Sequence, residues 1–175
     1  QMMKEALKNY LGEENISIVR NPANDSNFTE YIGRSNWLFA GRFTSEKGIL
    51  DLLKFWPDSE NLDIAGDGIL KSKILELLKG KKNLRYIGTF SPEDKSVYDR
   101  YLGLLFPSTW MEGSPLVVTD ALSRGTPVVA TDSSAAAELV RISNGGVVIQ
   151  GVIDEVKLLS SLNQVRKKGA EYGFN

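Results

Sequence analysis

Two cationic residues and a predicted helix start are the features of this sequence that could hold a phosphate group. Arg42 and Lys47 follow a short apolar run, and a second apolar run stops at Pro107. A helix is predicted to open at Ser114 and Pro115, because serine is a favoured N-cap and proline is tolerated at the first helical position. The free N–H groups and the dipole of a helix start attract anions. If the two segments meet, they suit a ligand that carries phosphate and hydroxyl groups.

Two acidic residues, Glu112 and Asp120, lie eight positions apart around this helix start. Asp120 has apolar neighbours on a helix that should pack against a sheet, where a carboxylate needs hydrogen-bond donors. The donors could belong to a ligand, to solvent, or to Arg124 four positions further along the helix. In the same way, Arg42 and Lys47 could be an ordinary solvated pair, since most charges are exposed. The residues alone leave these alternatives open.

Composition excludes several classes of function. The chain has 175 residues and a formal net charge of −1, so no nucleic-acid partner is expected. It has no cysteine and no histidine, which excludes thiol chemistry, histidine general-base catalysis and histidine metal sites within this chain. No apolar run approaches the roughly 20 residues that span a bilayer, and no signal peptide is visible. A cytoplasmic location is therefore expected.

Short apolar runs alternate with helical patterns from residue 37 onward, which predicts an α/β domain with a parallel sheet. Strands are expected at residues 37–41, 62–65, 84–87, 102–106, 127–130 and 147–149. Helices are expected at residues 46–56, 69–79, 115–125, 135–141 and 154–168, with another one capped by Ser91-Pro92-Glu93-Asp94. The common doubly wound order places the strands as 3-2-1-4-5-6, and ligands bind at the carboxyl ends where the order reverses. The loops after the first and fourth strands should therefore meet at one site.

Several motifs around this reversal resemble one enzyme family. They are Gly41-Arg42-Phe43 with Lys47-Gly48, residues 64–68 (IAGDG), 86–88 (YIG) and 107–108 (PS), residues 112–121 (EGSPLVVTDA) and residues 125–132 (GTPVVATD). Together they resemble the C-terminal, nucleotide-sugar-binding half of retaining GT-B glycosyltransferases of the family 4 type, over about residues 37–148. Several motifs in the right order are a far stronger signal than one glycine-rich loop. The family's glutamate pair is here Glu112 and Asp120, so the second acid is one methylene shorter.

The resemblance implies a role for each candidate residue. Arg42 and Lys47 would hold the donor diphosphate and stabilise charge on it as it departs, and Glu112 would contact the donor sugar or the reacting face. Asp120 would accept hydrogen bonds from the two ribose hydroxyls. The substrate-binding candidates are Gly41, Ile87, Gly113, Ser114, Pro115, Leu116 and Asp120. Residues 86–89 are a candidate lining of the base pocket. The donor would be a UDP- or GDP-sugar, and neither a metal ion nor another cofactor is expected.

The resemblance also implies a domain organisation. Both ends of the chain look like cuts in a longer protein. Residues 1–35 are interpreted as a linker-type segment with a helix at 2–11 and a strand at 16–19, and residues 36–170 as a Rossmann-like core. An N-terminal acceptor domain would be absent from this chain, and it would bind a glycan or lipid-linked glycan. The whole enzyme would then act in the cytoplasm, with peripheral association at the inner face of the membrane.

Three functions of different classes fit these residues. The first is a retaining, metal-independent glycosyltransferase of the hexosyltransferase type (EC 2.4), serving polysaccharide, glycolipid or cell-envelope glycan synthesis and inactive as an isolated fragment. The second is a GT-B-related nucleotide-sugar epimerase, which should show histidines and a different pattern of acids. The third is a non-enzymatic nucleotide-binding or regulatory module, since a fold does not fix a function.

Overall fold

The described part of the chain forms one sheet of six parallel strands. A computed structural model describes residues 34–110 and 115–171, so the helix and strand predicted at residues 2–11 and 16–19 lie outside it. The strands are β1 (Asn36–Ala40), β2 (Asn61–Ala65), β3 (Leu84–Gly88), β4 (Tyr101–Phe106), β5 (Val128–Thr131) and β6 (Gly146–Ile149). They lie in the order β3-β2-β1-β4-β5-β6, and every neighbouring pair is parallel. The predicted α/β fold and its reversal between β1 and β4 are confirmed.

Helices cover both faces of the sheet. The α-helices are α1 (Ile49–Lys54), α2 (Lys71–Leu78), α3 (Leu116–Ser123), α4 (Ala135–Ser143) and α5 (Glu155–Glu171), and two 3₁₀ helices span Ser45–Lys47 and Lys95–Arg100. Residues of α1, α2 and α5 join one hydrophobic cluster, and residues of α3 and α4 join a second one. Within the described ranges, no helix is long and apolar enough to cross a membrane.

The central strand β1 shows why the strands are continuous apolar runs. Trp37 and Phe39 are buried in the first cluster, whereas Leu38 and Ala40 are buried in the second. Successive side chains of a strand point to opposite faces, so a strand with helices on both faces needs apolar residues at every position. This double burial fixes β1 at the centre of the sheet and thereby places the loop that follows it.

The helix predicted after β1 is shorter than expected and begins later. The 3₁₀ helix Ser45–Lys47 comes first, Gly48 then adopts a left-handed conformation with φ 69°, and α1 covers only Ile49–Lys54. A Cβ atom on Gly48 would lie 2.1 Å from the carbonyl oxygen of Pro107, so the loop after β4 crowds the chain at this point. Lys47 is therefore the last residue of the 3₁₀ helix before α1 and does not lie in the first turn of α1.

The segment after β3 also differs from the prediction. It forms the 3₁₀ helix Lys95–Arg100 where an α-helix was expected, and β4 begins at the next residue, Tyr101. A 3₁₀ helix rises about 2.0 Å per residue and an α-helix about 1.5 Å, so the tighter helix spans more distance with few residues. The short connection also buries Val97 and Tyr98 against the sheet.

The start of α3 differs by one residue. Pro115 is the N-cap, with φ −73° and ψ 110°, and the helix begins at Leu116. The sequence predicted Ser114 as the N-cap and Pro115 as the first helical residue. The fixed φ of proline suits both positions, but the extended ψ of Pro115 places it outside the helix. Ser114 itself lies outside the described residues.

Candidate functional site

The carboxyl ends of β1 and β4 lie side by side, and the carbonyl oxygen of Glu46 ties the loops that follow them. This oxygen accepts hydrogen bonds from the N–H of Thr109 at 2.9 Å, the hydroxyl of Ser108 at 3.1 Å and the hydroxyl of Thr109 at 3.3 Å. The carbonyl oxygen of Ser108 in turn accepts from the hydroxyl of Thr131 at the end of β5, at 2.5 Å. The protein therefore holds the loops after β1, β4 and β5 in a fixed arrangement by itself.

The loops after β1 and β2 are joined in the same way. The N–H of Phe43 donates to the carbonyl of Asp67 at 2.7 Å, and the N–H of Leu70 donates to the carbonyl of Phe43 at 3.0 Å. Gly66 has φ 146°, and a Cβ atom there would lie 1.9 Å from the carbonyl oxygen of Gly41. The glycines of residues 66–68 thus allow a tight turn, as the sequence indicated, and they let the two loops approach each other.

A pocket of about 320 Å³ lies between these loops and the start of α3. Gly41, Arg42 and Lys47 line it from the β1 side, and Pro115 and Leu116 line it from the helix side. The cations and the helix start that were predicted from the sequence are therefore brought together. The first N–H groups of an α-helix have no acceptor in a preceding turn, and its dipole favours negative charge nearby. The pocket is chemically suited to an anion.

The charge of Arg42 also acts on a neighbouring acid. The pKa of the Glu46 carboxyl is lowered, first by the hydrogen bond from the hydroxyl of Thr44 at 2.7 Å and then by a hydrogen bond from the backbone of Glu46 itself. The positive charges of Arg42 and Lys47 lower this pKa further. Arg42 is exposed and, in the part of the chain that the structure describes, its guanidinium makes no hydrogen bond and no ion pair at close range. It can therefore donate to a ligand in the pocket.

A larger pocket of about 600 Å³ adjoins the first and shares Arg42, Leu116 and Val117 with it. Asp120 lines this pocket, and so does Thr89 from the stretch that was a candidate for the base pocket. Its wall also contains Phe90, Pro92, Asp94, Lys95 and Tyr98, for which the sequence suggested no contact with a ligand. The rings of Phe90 and Tyr98 meet edge to face with their centroids 5.9 Å apart. This pocket therefore combines an aromatic wall with charged groups.

Asp120 pairs with Lys95 and not with Arg124. The Nζ of Lys95 lies 2.6 Å from Oδ1 of Asp120, and the two side chains are 28% and 14% exposed. Arg124, at the C-cap of α3, makes a two-pronged contact with Asp99, in which Nε lies 2.8 Å from Oδ1. The alternative of an Asp120–Arg124 pair is therefore wrong. Burial raises the pKa of Tyr98, and the negative charge of Asp120 adds to this rise.

The remaining candidates lie elsewhere or outside the described residues. Ile87 is half-buried on β3, packs against the second hydrophobic cluster and lines neither of the two pockets. Glu112, Gly113 and Ser114 lie outside the described residues, so their roles stay predictions. Lys95 was missed, because the apolar neighbours of Asp120 signalled a need for a donor but not which residue supplies it.

Two solved glycosyltransferases have a fold similar to that of this chain. The apo form of the lipopolysaccharide outer core galactosyltransferase WaaB is 20% identical, with a TM-score of 0.72, over 95% of this chain and 51% of that chain. The pneumococcal O-GlcNAc transferase GtfA, solved in complex with UDP and GlcNAc, is also 20% identical with a TM-score of 0.72, over 99% of this chain and 37% of that one. These similarities show the fold, which is a Rossmann-like domain of the GT-B type.

The family follows from the sequence. The model of the family described as glycosyl transferases group 1 matches residues 34–164, and the chain belongs to this family. A curated relative, the amylovoran biosynthesis glycosyltransferase AmsD of Erwinia amylovora, is 29% identical over 168 residues, which cover 91% of this chain and 47% of the relative. The chain thus spans about half the length of this relative.

Proposed function

We propose that this domain binds the nucleotide-sugar donor of a glycosyltransferase, a UDP- or GDP-sugar, with the diphosphate in the smaller pocket. One observation carries the proposal: Arg42, Lys47 and the start of α3 line the same pocket at the reversal between β1 and β4. The family assignment supports it, and so does the structure of GtfA in complex with UDP and GlcNAc.

In this proposal the domain stabilises the leaving group during sugar transfer. When the bond between the sugar and the diphosphate breaks, negative charge develops on the departing diphosphate. Arg42 would contact it as a fork and Lys47 as a point charge, and the N–H groups at the start of α3 would add hydrogen bonds. These groups would neutralise the charge without a metal ion. The sugar would pass to an acceptor hydroxyl with its anomeric configuration retained.

The other candidate residues would hold the rest of the donor. Asp120 would accept hydrogen bonds from the ribose hydroxyls, since it lines the adjoining pocket. Glu112 would contact the donor sugar or the reacting face. We propose that the whole protein is a hexosyltransferase of polysaccharide, glycolipid or cell-envelope glycan synthesis. Its acceptor, a glycan or a lipid-linked glycan, would bind outside this domain. We place that protein in the cytoplasm, at the inner face of the membrane.

Titration calorimetry with UDP, GDP and ADP tests the proposal. We expect one diphosphate to bind, and Arg42→Ala to weaken that binding about tenfold or more, because a hydrogen bond to a charged group is worth about 1.5–3 kcal/mol. Arg141→Ala is the matched control, since Arg141 is exposed on α4 and lines neither pocket. The absence of binding to any diphosphate, or equal binding by both variants, would contradict the proposed site.

A further inference from the structure

The ion pair between Lys95 and Asp120 has a geometry that differs from the other buried or half-buried acid pairs described in this chain. Three of these acids accept bidentate hydrogen bonds from an arginine: Asp63 from Arg85, Glu60 from Arg166 and Asp99 from Arg124. Such a fork occupies both carboxylate oxygens. Lys95 instead makes one hydrogen bond, 2.6 Å long, to Oδ1 of Asp120.

The second oxygen of Asp120 therefore remains available. In the described part of the chain, Oδ2 of Asp120 accepts no hydrogen bond, and this oxygen is not fully buried. Because both Asp120 and Lys95 line the larger pocket, a molecule in that pocket can reach the pair.

The chemistry of the pair suits two neighbouring hydroxyl groups. A carboxylate has about four lone-pair sites and accepts from hydroxyls, while an ammonium group has three donors, of which Asp120 uses one. One hydroxyl can thus donate to Oδ2, and the oxygen of its neighbour can accept from Nζ of Lys95. The side chain of Asp120 has a single methylene group, so its carboxylate contacts a ligand only in a suitable orientation. The hydrogen bond from Lys95 holds the carboxylate in one orientation.

We propose that Lys95 is a positioning residue that holds the carboxylate of Asp120 against the ribose diol of the donor and so makes the site selective for ribonucleotides. This inference rests on the proposed function, because it presumes that a nucleotide occupies the two pockets. It gives Lys95, on the 3₁₀ helix before β4, a role in holding the nucleotide.

The test compares two ligands. The diphosphate that binds the wild-type chain best is titrated in parallel with its 2′,3′-dideoxy analogue, and the ratio of the two dissociation constants is measured. We expect the wild type to prefer the ribonucleotide about tenfold or more, as the loss of a hydrogen bond to a charged group predicts. Lys95→Met should weaken ribonucleotide binding and leave the dideoxy analogue nearly unchanged, so that the ratio falls to a few-fold. Lys95→Arg should keep most of the wild-type preference for the ribonucleotide.

The controls separate positioning from stability. Lys81→Met removes another ion-paired lysine, which contacts Asp58 at 3.0 Å and lines neither pocket, and it should keep the wild-type ratio. If Lys95→Met does not fold, Lys95→Gln is titrated instead, and its ratio should also fall. A wild-type ratio in whichever variant folds, or equal weakening of both ligands, overturns the role of Lys95. A wild type that binds no diphosphate overturns the proposed function itself.

Discussion

At the scale of single residues, Glu60 shows how one buried acid joins distant parts of the chain. Its side chain accepts two hydrogen bonds of 2.6 Å from Arg166 on α5 and one of 2.9 Å from the indole of Trp37 on β1. Burial, the largest single influence, raises the pKa of Glu60, but the bonds from Arg166 and Trp37 together outweigh it and leave the pKa lowered. Glu60 is therefore ionised in the folded protein, and it holds α5 against the sheet.

Replacing Arg166 with methionine should destabilise the fold in a pH-dependent way. We expect the free energy of unfolding to fall by about 1–3 kcal/mol at neutral pH, less than for a fully buried pair because Arg166 is 39% exposed. The pKa of Glu60 lies below 4.5 in the wild type, so the stabilisation is present above 4.5 and is lost as the pH falls through the lowered value. Urea unfolding at a series of pH values measures both effects.

An exposed ion pair supplies the control for this prediction. Lys79 and Glu76 form a surface pair on and next to α2, and Lys79→Met should leave the unfolding transition unchanged at every pH. If the difference between wild type and Arg166→Met stays constant down to acid pH, Glu60 is not the origin of the effect.

Side-chain partners were the part of the site that the sequence predicted least well. The spacing of Asp120 and Arg124 fits a helical pair, yet Arg124 contacts Asp99 and Asp120 contacts Lys95. Both partners come from the 3₁₀ helix before β4, and each lies 25 positions away along the chain. Local spacing carries no information on such contacts, because tertiary packing decides them. The place of Arg42 and Lys47 in the pocket was predictable, because both follow the end of β1, whose position in the sheet the topology fixes.

At the scale of elements, the strands were predicted well and the helix boundaries less well. Strands buried on both faces appear as continuous apolar runs, and the doubly wound order follows from their alternation with helices. The close contact at Gly48 could not be predicted, because the carbonyl of Pro107 that approaches it comes much later in the sequence.

Substituting Gly48 with alanine tests whether this close contact matters for the site. The variant must adopt φ 69° with a Cβ atom 2.1 Å from the Pro107 oxygen, so the loop after β4 has to move. The left-handed conformation alone costs about 1–2 kcal/mol, and we expect a larger loss of unfolding free energy together with weaker diphosphate binding. Chemical denaturation and calorimetry measure the two effects.

Gly80→Ala is the matched control. Gly80 has φ 78°, but a Cβ atom there would meet nothing within 4 Å. This variant should lose only the conformational term and should bind the diphosphate like the wild type. Equal losses of stability and equal binding in both variants would show that the contact between the two loops is unimportant.

At the scale of the whole molecule, the greater length of AmsD suggests that the donor and the acceptor bind to different parts of the protein. The chain covers 47% of AmsD, and we propose that the acceptor binds to a part of the protein beyond these residues. The isolated chain should therefore bind the diphosphate but transfer no sugar. Release of the diphosphate from a UDP- or GDP-sugar, measured with a glycan acceptor, checks this expectation. Binding by the same preparation shows that it is folded, and measurable transfer would refute the prediction.

The tie at the carbonyl of Glu46 has a consequence for how the sequence can diverge. Its acceptor belongs to the main chain, and so does one of its donors, the N–H of Thr109. Every amino acid at position 46 supplies that acceptor, and every amino acid but proline at position 109 supplies that donor. Drift at these positions therefore leaves the junction between the two loops in place, and descendants of this domain can exchange side chains around the pocket while its framework persists.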